Sequence, residues 1–337
     1  MHDRPENERG KLLRAVTAIE ERLARIEQLL IPAKPDERSN WQKFRTRIAR
    51  LFVKLGSFEH YRPREMRVPP RYLNVATGKN PPSFRVVTPC LNPALFIRET
   101  IESVLDQNYP KLTYLIQDCL SDDGTKEIVE AYKDRLVIRR ELDTGQANAI
   151  NRAFENTDAD IMFYLNSDDL LLPGALAYVA NYFDAHPDID IVYGHRVVID
   201  AQTLEIGRWI IPPHDAEAIK WADFIPQETL FWRKRVWDRV GKFDESFEYA
   251  LDWDFILRAQ ALGFKFKRLP RFLGCFRVHN RQKTSSLLDV GTVEMRKLRT
   301  QYLGRKFYLR PVHRAILGYI IEHVALNLLY RLGIVRY

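Results

Sequence analysis

Between residues 84 and 196 the chain alternates short apolar runs with segments whose apolar residues recur three or four apart. "FRVVTP", "LTYLIQD", "LVIRR", "DIMFYLN" and "DIVYGH" have the length and continuity of buried strands. Between them lie "ALFIRETIESVLDQ", "TKEIVEAYKD", "GQANAINRAFEN" and "GALAYVANYFDAH", which carry the helical period; the first buries Phe96, Ile97, Ile101, Val104 and Leu105 on one face. Apolar strands alternating with helices predict an α/β fold: a Rossmann-like, mostly parallel sheet with helices on both faces. In such sheets ligands bind beyond the carboxyl ends of the strands.

Outside this region the pattern changes. In "KLLRAVTAIEERLARIEQLLI", Leu12, Val16, Ile19, Leu23, Ile26 and Leu30 fall three or four apart. This predicts either a short coiled coil, which would make a homo-oligomer, or a helix folded back on the body. "IPAKPDERSN" ends that helix, and a basic one, "WQKFRTRIARLFVKLG", follows. The five prolines of residues 62–82 predict an extended linker with a boundary near Pro82. The expected organisation is a helical N-terminal extension over 1–61, the linker over 62–82, the α/β domain over 83–289 and C-terminal helices over 290–337. Residues 195–285 read as short strands, the basic helix "WRKRVWDRVG" and then "LDWDFILRAQALGF".

Charge separates the same parts. Residues 1–80 hold 18 Lys and Arg against 10 Asp and Glu, residues 81–289 hold 25 against 32, and residues 290–337 hold 9 against 2. Basic flanks suit anionic lipid or an acidic partner, or are solvated helix faces. Without Cys/His zinc spacing or an RNA-recognition aromatic signature, nucleic acid is not an expected partner. Cys90, Cys119 and Cys275 are odd in number and widely spaced, so reduced thiols and a cytoplasmic setting are expected. "MHDRPENERG" is too polar for a secretory leader.

Residues 314–335, "RAILGYIIEHVALNLLYRLGIV", are the most apolar stretch, interrupted by Glu322, His323, Asn327 and Arg331. A charge at the centre of a membrane helix costs roughly 2.5–3.5 kcal/mol, which disfavours spanning. The expectation is a helix lying in an anionic membrane surface, peripheral on the inner face of the plasma membrane. Arg296, Lys297, Arg299, Arg305, Lys306, Arg310 and Arg314 stand just before it. The alternative is a helix packed on the α/β domain.

The chemistry concentrates at strand ends. Asp118 closes the second strand, and "YLNSDDLLLP" sets Asp168 and Asp169 after the fourth. Carboxylates at the tips of core strands are costly unless a cation compensates them. A Mg²⁺ or Mn²⁺ ion bridging a phosphorylated ligand would do so; the alternative is that the pair caps the helix beginning near Pro173. The turn after the first strand, "TPCLNPALF", has neither the dinucleotide-binding glycines nor a phosphate-binding GxxxxGK loop. A nucleotide must then be held by side chains and strand ends.

Six ordered segments of residues 84–280 resemble family 2 glycosyltransferases of the GT-A fold: "VVTPCLNPALFIRETIESVLDQNYP", "IQDCLSDDGTKEIVEAY", "LDTGQANAINRAF", "LNSDDLLLPGAL", "FDESFEYALDWDFILRAQALGF" and "FRVHNRQKTS". The resemblance implies an inverting, metal-assisted transferase of bacterial surface-glycan type. Its donor would be a nucleotide-diphosphate sugar, UDP-linked, and its acceptor a glycan or lipid-linked hydroxyl. Carried over by position, Pro89, Leu91, Asp118, Gln146, Asn166, Ser167 and Asp168 would contact the donor. Asp168, Asp169 and His279 would meet the metal, Mn²⁺ or Mg²⁺. Asp252 would be the catalytic base, with Trp253 and Gln227 toward the acceptor. Asp254 shares a face with Asp252 if this stretch is extended and is a cap if a helix starts there; Trp253 stacks on a sugar or belongs to the core. Asn166 stands where many members carry the first acid of the metal motif. Leu91, Cys119, Asn148 and His195 also depart from the usual residues. The competing reading is a nucleotide-sugar-binding module that has lost catalysis and serves an assembly; Asp252 argues against it.

Overall fold

The computed structural model describes residues 60–280, 282, 287–304, 307–308 and 311–337. The heptad segment and the basic helix after it lie outside these. Everything described falls in one compact unit that begins at Lys54.

The unit is built on a nine-stranded mixed sheet. Its strands are β1 (Phe84–Cys90), β2 (Leu112–Asp118), β3 (Val137–Arg140), β4 (Ile161–Tyr164), β5 (Leu170–Leu171), β6 (Ile191–Ile199), β7 (Glu205–Trp209), β8 (Phe231–Arg233) and β9 (Phe266–Arg277). The order is β3-β2-β1-β4-β8-β6-β9-β5, with β7 on β6. The first four strands are parallel, as the alternation of strands and helices predicts. β8 then runs antiparallel between β4 and β6, and β9 returns parallel to β6.

The helices are α1 (Pro70–Leu73), α2 (Ile97–Leu105), α3 (Thr125–Glu130), α4 (Gln146–Ala153), α5 (Ala175–Ala185), α6 (Lys234–Val240), α7 (Leu251–Ala261), α8 (Leu288–Leu303), α9 (Val312–Ala315) and α10 (Leu317–Arg331). The pleat divides them between two cores. Val86 faces a core with Ile97, Ile101 and Val104 of α2 and with Val179 and Phe183 of α5. Its neighbour Val87 faces another with Ile150 of α4, Val236 of α6, Phe255 of α7 and Leu298 of α8. Each such fully buried side chain contributes about 1.5–3 kcal/mol of transfer free energy.

Register positions the site. Cys90 pairs with Asp118 and Asp118 with Arg140, so three strands end level. β4 reaches only to the level of Val87, and the chain leaves the sheet at Asn166. β5 re-enters at the far edge against β9, at Cys275 and Gly274. A Cβ on Gly274 would collide with the Glu228 carbonyl, so glycine is what lets β9 pass the loop before β8.

Both flanking segments touch the body. Residues 62–82 have little regular structure beyond α1, but they do not hang free. Arg64 forms an isolated β-bridge with Glu205, and Tyr72 is buried, accepting a hydrogen bond from Phe272 N at 3.0 Å beneath the Arg271 guanidinium. The composition signals an extended backbone; the buried Tyr72 is what ties it down. The C-terminal helix packs on the body through one face. Asn327 Nδ2 donates to Ile210 O at 3.1 Å, Asn327 Oδ1 accepts from Ile210 N, and Tyr319 stacks on Phe224. No helix among the described residues is long and apolar enough to cross a membrane.

Candidate active site

A cleft of about 700 Å³ opens beyond the carboxyl ends of β1, β2 and β4. One wall is the end of β1 with Pro89, Cys90 and Leu91, faced by Cys119, Asp143 and Gln146. The floor carries Asn166–Asp169, Arg196, Gln227 and Glu228. The lining also includes Asp223, Tyr249, Asp252 and Arg299. Leu91 is exposed at the rim.

Asp118 is buried and does not line this cleft. Its carboxylate accepts from Arg140 Nε at 2.6 Å, from Ser121 N at 3.1 Å and from the Ser121 hydroxyl. The cation compensating this strand-end charge is therefore Arg140, across the β2–β3 pair. Burial and the Asp118 charge push the adjacent Cys90 thiol well above its ordinary range, so it stays neutral.

The floor is a chain of amides. Gln146 Nε2 donates to Asn166 Oδ1 at 2.8 Å, Asn166 Nδ2 donates to Gln227 Oε1 at 3.1 Å, and Gln227 Nε2 donates to Tyr164 O at 2.7 Å. This accounts for the amide at 166: between two glutamines an Asn can accept from one and donate to the other, which an ionised Asp cannot. Gln227, expected toward the acceptor, is 8% exposed and its amide is used inside this chain.

Asp168 and Asp169 diverge. Asp168 Oδ2 lies 2.9 Å from His279 Nε2. Asp169 is 2% exposed, and its Oδ1 accepts from Arg277 N at 2.9 Å. Burial, then repulsion from Asp168 and Glu228, push the Asp169 carboxyl well above its usual range. Asp169 thus ties the motif to β9.

Arg277, fully buried, donates from Nε to Asp168 O at 2.7 Å and from Nη2 to Glu99 at 2.7 Å, over the Phe96 ring. Thr100 Oγ1 of α2 lies 3.0 and 2.9 Å from the carbonyls of Ser167 and Asp169. The loop is therefore held by its backbone, and the Asp168 side chain is left to face His279. Sequence reading missed Arg277, although it sits two residues before His279 in "FRVHN". No group of three or more His, Cys, Asp or Glu with metal-binding geometry occurs among the described residues. One carboxylate and one imidazole still suit an ion whose remaining ligands are diphosphate oxygens and water.

The fold settles the alternatives at "LDWD". The stretch begins α7, so Asp252 and Asp254 point apart. Asp252 lines the cleft; Asp254 is buried and pairs with Arg258 at 2.7 Å, one turn on. Trp253 is 1% exposed, its Nε1 donates to Ile219 O at 2.8 Å, and it belongs to the α4–α7 core. Trp253 also borders the cleft, with the Arg299 guanidinium 5.4 Å from its ring centroid.

Asp223, unforeseen in the sequence, joins Asp252. Its position in the cleft, and then the Asp252 charge, push it well above the usual carboxylate range. The residue keeps contact with cleft water, so the repulsion carries more weight than the burial. Below them Arg196 grips Glu228 with two hydrogen bonds of 2.7 and 2.5 Å. His195 lies outside the cleft, fully buried, accepting from Ile211 N at 3.0 Å; Asn148 bonds Glu245 at 3.1 Å.

The turn into α7 is held from the C-terminal segment. Glu294 of α8 accepts from the backbone N–H groups of Glu248, Tyr249 and Ala250 at 2.7, 2.9 and 2.8 Å. Gly291 permits this approach, since a Cβ there would meet the Tyr249 ring at 2.8 Å.

Comparison with known proteins gives this geometry a family. Over 182 residues the chain is 26% identical to a PGL/p-HBAD biosynthesis glycosyltransferase of Mycobacterium bovis (strain BCG / Pasteur 1173P2), covering 52% of this chain and 69% of that protein. An uncharacterised glycosyltransferase of Rickettsia typhi (strain ATCC VR-144 / Wilmington) is 25% identical over 221 residues, covering 62% and 68%. Among solved structures, S. aureus TarS 1-349 in complex with UDP-GlcNAc superposes with a TM-score of 0.54 at 16% identity, covering 74% of this chain and 92% of that one. The mannosyltransferase PcManGT from Pyrobaculum calidifontis, in complex with GDP-Man and Mn²⁺, gives 0.51 at 18% identity, covering 87% and 88%. Against the longer S. aureus TarS structure the match spans 43% of that chain, with a TM-score of 0.50. The solved structures share the GT-A fold. The family model described as Glycosyl transferase family 2 matches residues 85–254, half of the sequence, and the chain belongs to that family.

Proposed function

We propose that this glycosyltransferase moves a sugar, with inversion, from a UDP-sugar to a hydroxyl of a glycan or lipid-linked acceptor. The observation that carries the reading is that acids from separate elements line one cleft. Asp168 with His279 stands where the chain leaves β4 and β9, and Asp252 stands at the start of α7 with Asp223, from the segment before β8, beside it. An inverting transfer needs this division: charge stabilisation at the leaving diphosphate, and a separate carboxylate for the proton of the attacking hydroxyl.

In this reading the base packs beside Pro89, Leu91 and Cys119, and Asp118 braces that wall through Arg140 and Ser121. Gln146 and Asn166 face the ribose and diphosphate. Asp168 and His279 would hold Mn²⁺ or Mg²⁺, the imidazole favouring Mn²⁺, and Asp169 anchors the loop. The ion would supply positive charge to the departing diphosphate. Asp252 takes the acceptor proton. Asp223, whose carboxyl is raised beside Asp252, would hydrogen-bond the acceptor. The nucleotide sugars bound in the TarS and PcManGT structures support the donor class, and UDP in the former supports the nucleotide. The enzyme would work in the cytoplasm.

Asp252→Asn tests the reading. Transfer should fall by at least about 10³-fold while donor binding, followed by calorimetry, stays within a few-fold. Undiminished turnover would overturn the assignment. An inactive wild type that still binds a nucleotide sugar would favour a binding module instead.

A further inference from the structure

We infer that α10 and its tail form the surface by which the protein binds an anionic lipid membrane. One face of the helix is committed to the body through Tyr319, Asn327 and Tyr330. The opposite face is apolar. Leu317, Ile321 and Leu328, spaced by four and seven residues, lie on one stripe that Leu332 and Ile334 continue, and these five side chains are 48–67% exposed. Exposed apolar residues scattered singly need no explanation, but a contiguous stripe does.

Charge identifies the occupant. The exposed Arg314 precedes the stripe, and the exposed Arg331 and Arg336 follow it. Glu322 is the only acid of residues 311–337 and lies about 100° round the helix from the stripe. A second copy fits poorly. A twofold, antiparallel pairing of this stripe would bring Arg314 of one helix to Arg331 of the other with no acid between them. Lipid satisfies both features: acyl chains take the stripe and headgroup phosphates take the arginines. The helix would lie in the surface, since it is too short and polar to span. The inference does not depend on the transferase assignment.

The test is co-sedimentation of the full chain with vesicles of phosphatidylglycerol and phosphatidylcholine, and with phosphatidylcholine alone. Binding is expected to the anionic vesicles and to weaken with salt. The double variant Ile321→Asp, Leu328→Asp should lower partitioning by about tenfold or more. Arg314→Glu with Arg331→Glu should weaken binding to the anionic vesicles alone. All four side chains are exposed, so thermal melting and transfer to a soluble acceptor should not change. Wild type left in the supernatant, equal binding to both vesicle types, or an Asp double variant that binds like wild type would overturn the inference. So would a wild-type dimer that the double variant converts to monomer in the absence of vesicle binding.

Discussion

Glu294 and Ala250 are joined by a hydrogen bond of 2.8 Å that ties α8 to the residue before α7. With the bonds to Tyr249 and Glu248, one buried carboxylate fills a nest of three successive backbone N–H groups, and Asp252 follows two residues later. Glu294→Gln leaves one acceptor oxygen for three donors. The expected result is a kcat lower by roughly 10–100-fold with donor KM within about twofold, since misplacing a reacting group costs turnover rather than affinity. Stability should fall by about 1–3 kcal/mol. Steady-state kinetics with a thermal melt checks both, and an unchanged kcat would show that the turn holds Asp252 without Glu294.

The divergence of Asp168 and Asp169 separates two variants that the sequence makes look equivalent. Asp168→Asn should remove most metal-dependent activity and raise the Mn²⁺ concentration needed for half-activation by at least about tenfold. Asp169→Asn should keep that concentration within a few-fold, because Asn still offers an oxygen to Arg277 N. It should also melt higher at neutral pH. A carboxyl whose folded pKa is raised favours the fold only below its unfolded pKa and opposes it as pH rises through the folded one. Chelation by EDTA followed by Mn²⁺ titration of both variants decides the matter; equal losses would return Asp169 to the ligand set.

Asp223 and Asp252 titrate as a pair. Neutralising Asp223 as Asn removes a like charge from beside Asp252, which then ionises more easily. The acidic limb of the kcat profile should move to lower pH, by about half a unit to one unit, while the maximal rate drops for want of the Asp223 hydrogen bond. A limb that stays in place would mean that Asp223 does not face the base.

The sequence discloses β1 to β4 and α2 to α5 because each is apolar on a period that admits one reading. β2 ends at the expected Asp118, and Asn166–Asp169, after the fourth strand, line a cleft. Strand-end logic misassigns the compensation of Asp118, because Arg140 is adjacent only through the β2–β3 register. Trp253 and Gln227 were read by position in a motif, whereas burial is a property of the assembled core. Asp223 and Glu228 lie in loops around the short antiparallel β8, and Arg196 lies one residue past the apolar run "DIVYGH". There periodicity is silent and only the fold brings residues together. Glu294 is 42 residues beyond Asp252, on a helix whose sequence advertises basic charge rather than one buried acid.

Two histidines, His195 buried and His323 half-buried, should make stability fall in mild acid. Burial holds His195 well below the ordinary imidazole range, and burial with the neighbouring His60 brings His323 to about 4. Both are neutral in the fold and protonate near 6.5 once the chain unfolds. Above that pH neither state binds the proton, and the histidines contribute no slope. Below it the unfolded chain takes up protons that the folded one refuses, so stability drops until the folded pKa is passed. His323 alone can account for up to about 3 kcal/mol between pH 6.5 and 4. Urea midpoints should therefore decrease steadily from pH 7 to pH 5. His323→Gln, which keeps a polar side chain beside Asn327, should flatten part of that slope. An identical slope in the variant would place the pH dependence elsewhere, with His195, which packs 4.2 Å from the Tyr337 ring, as the next position to substitute.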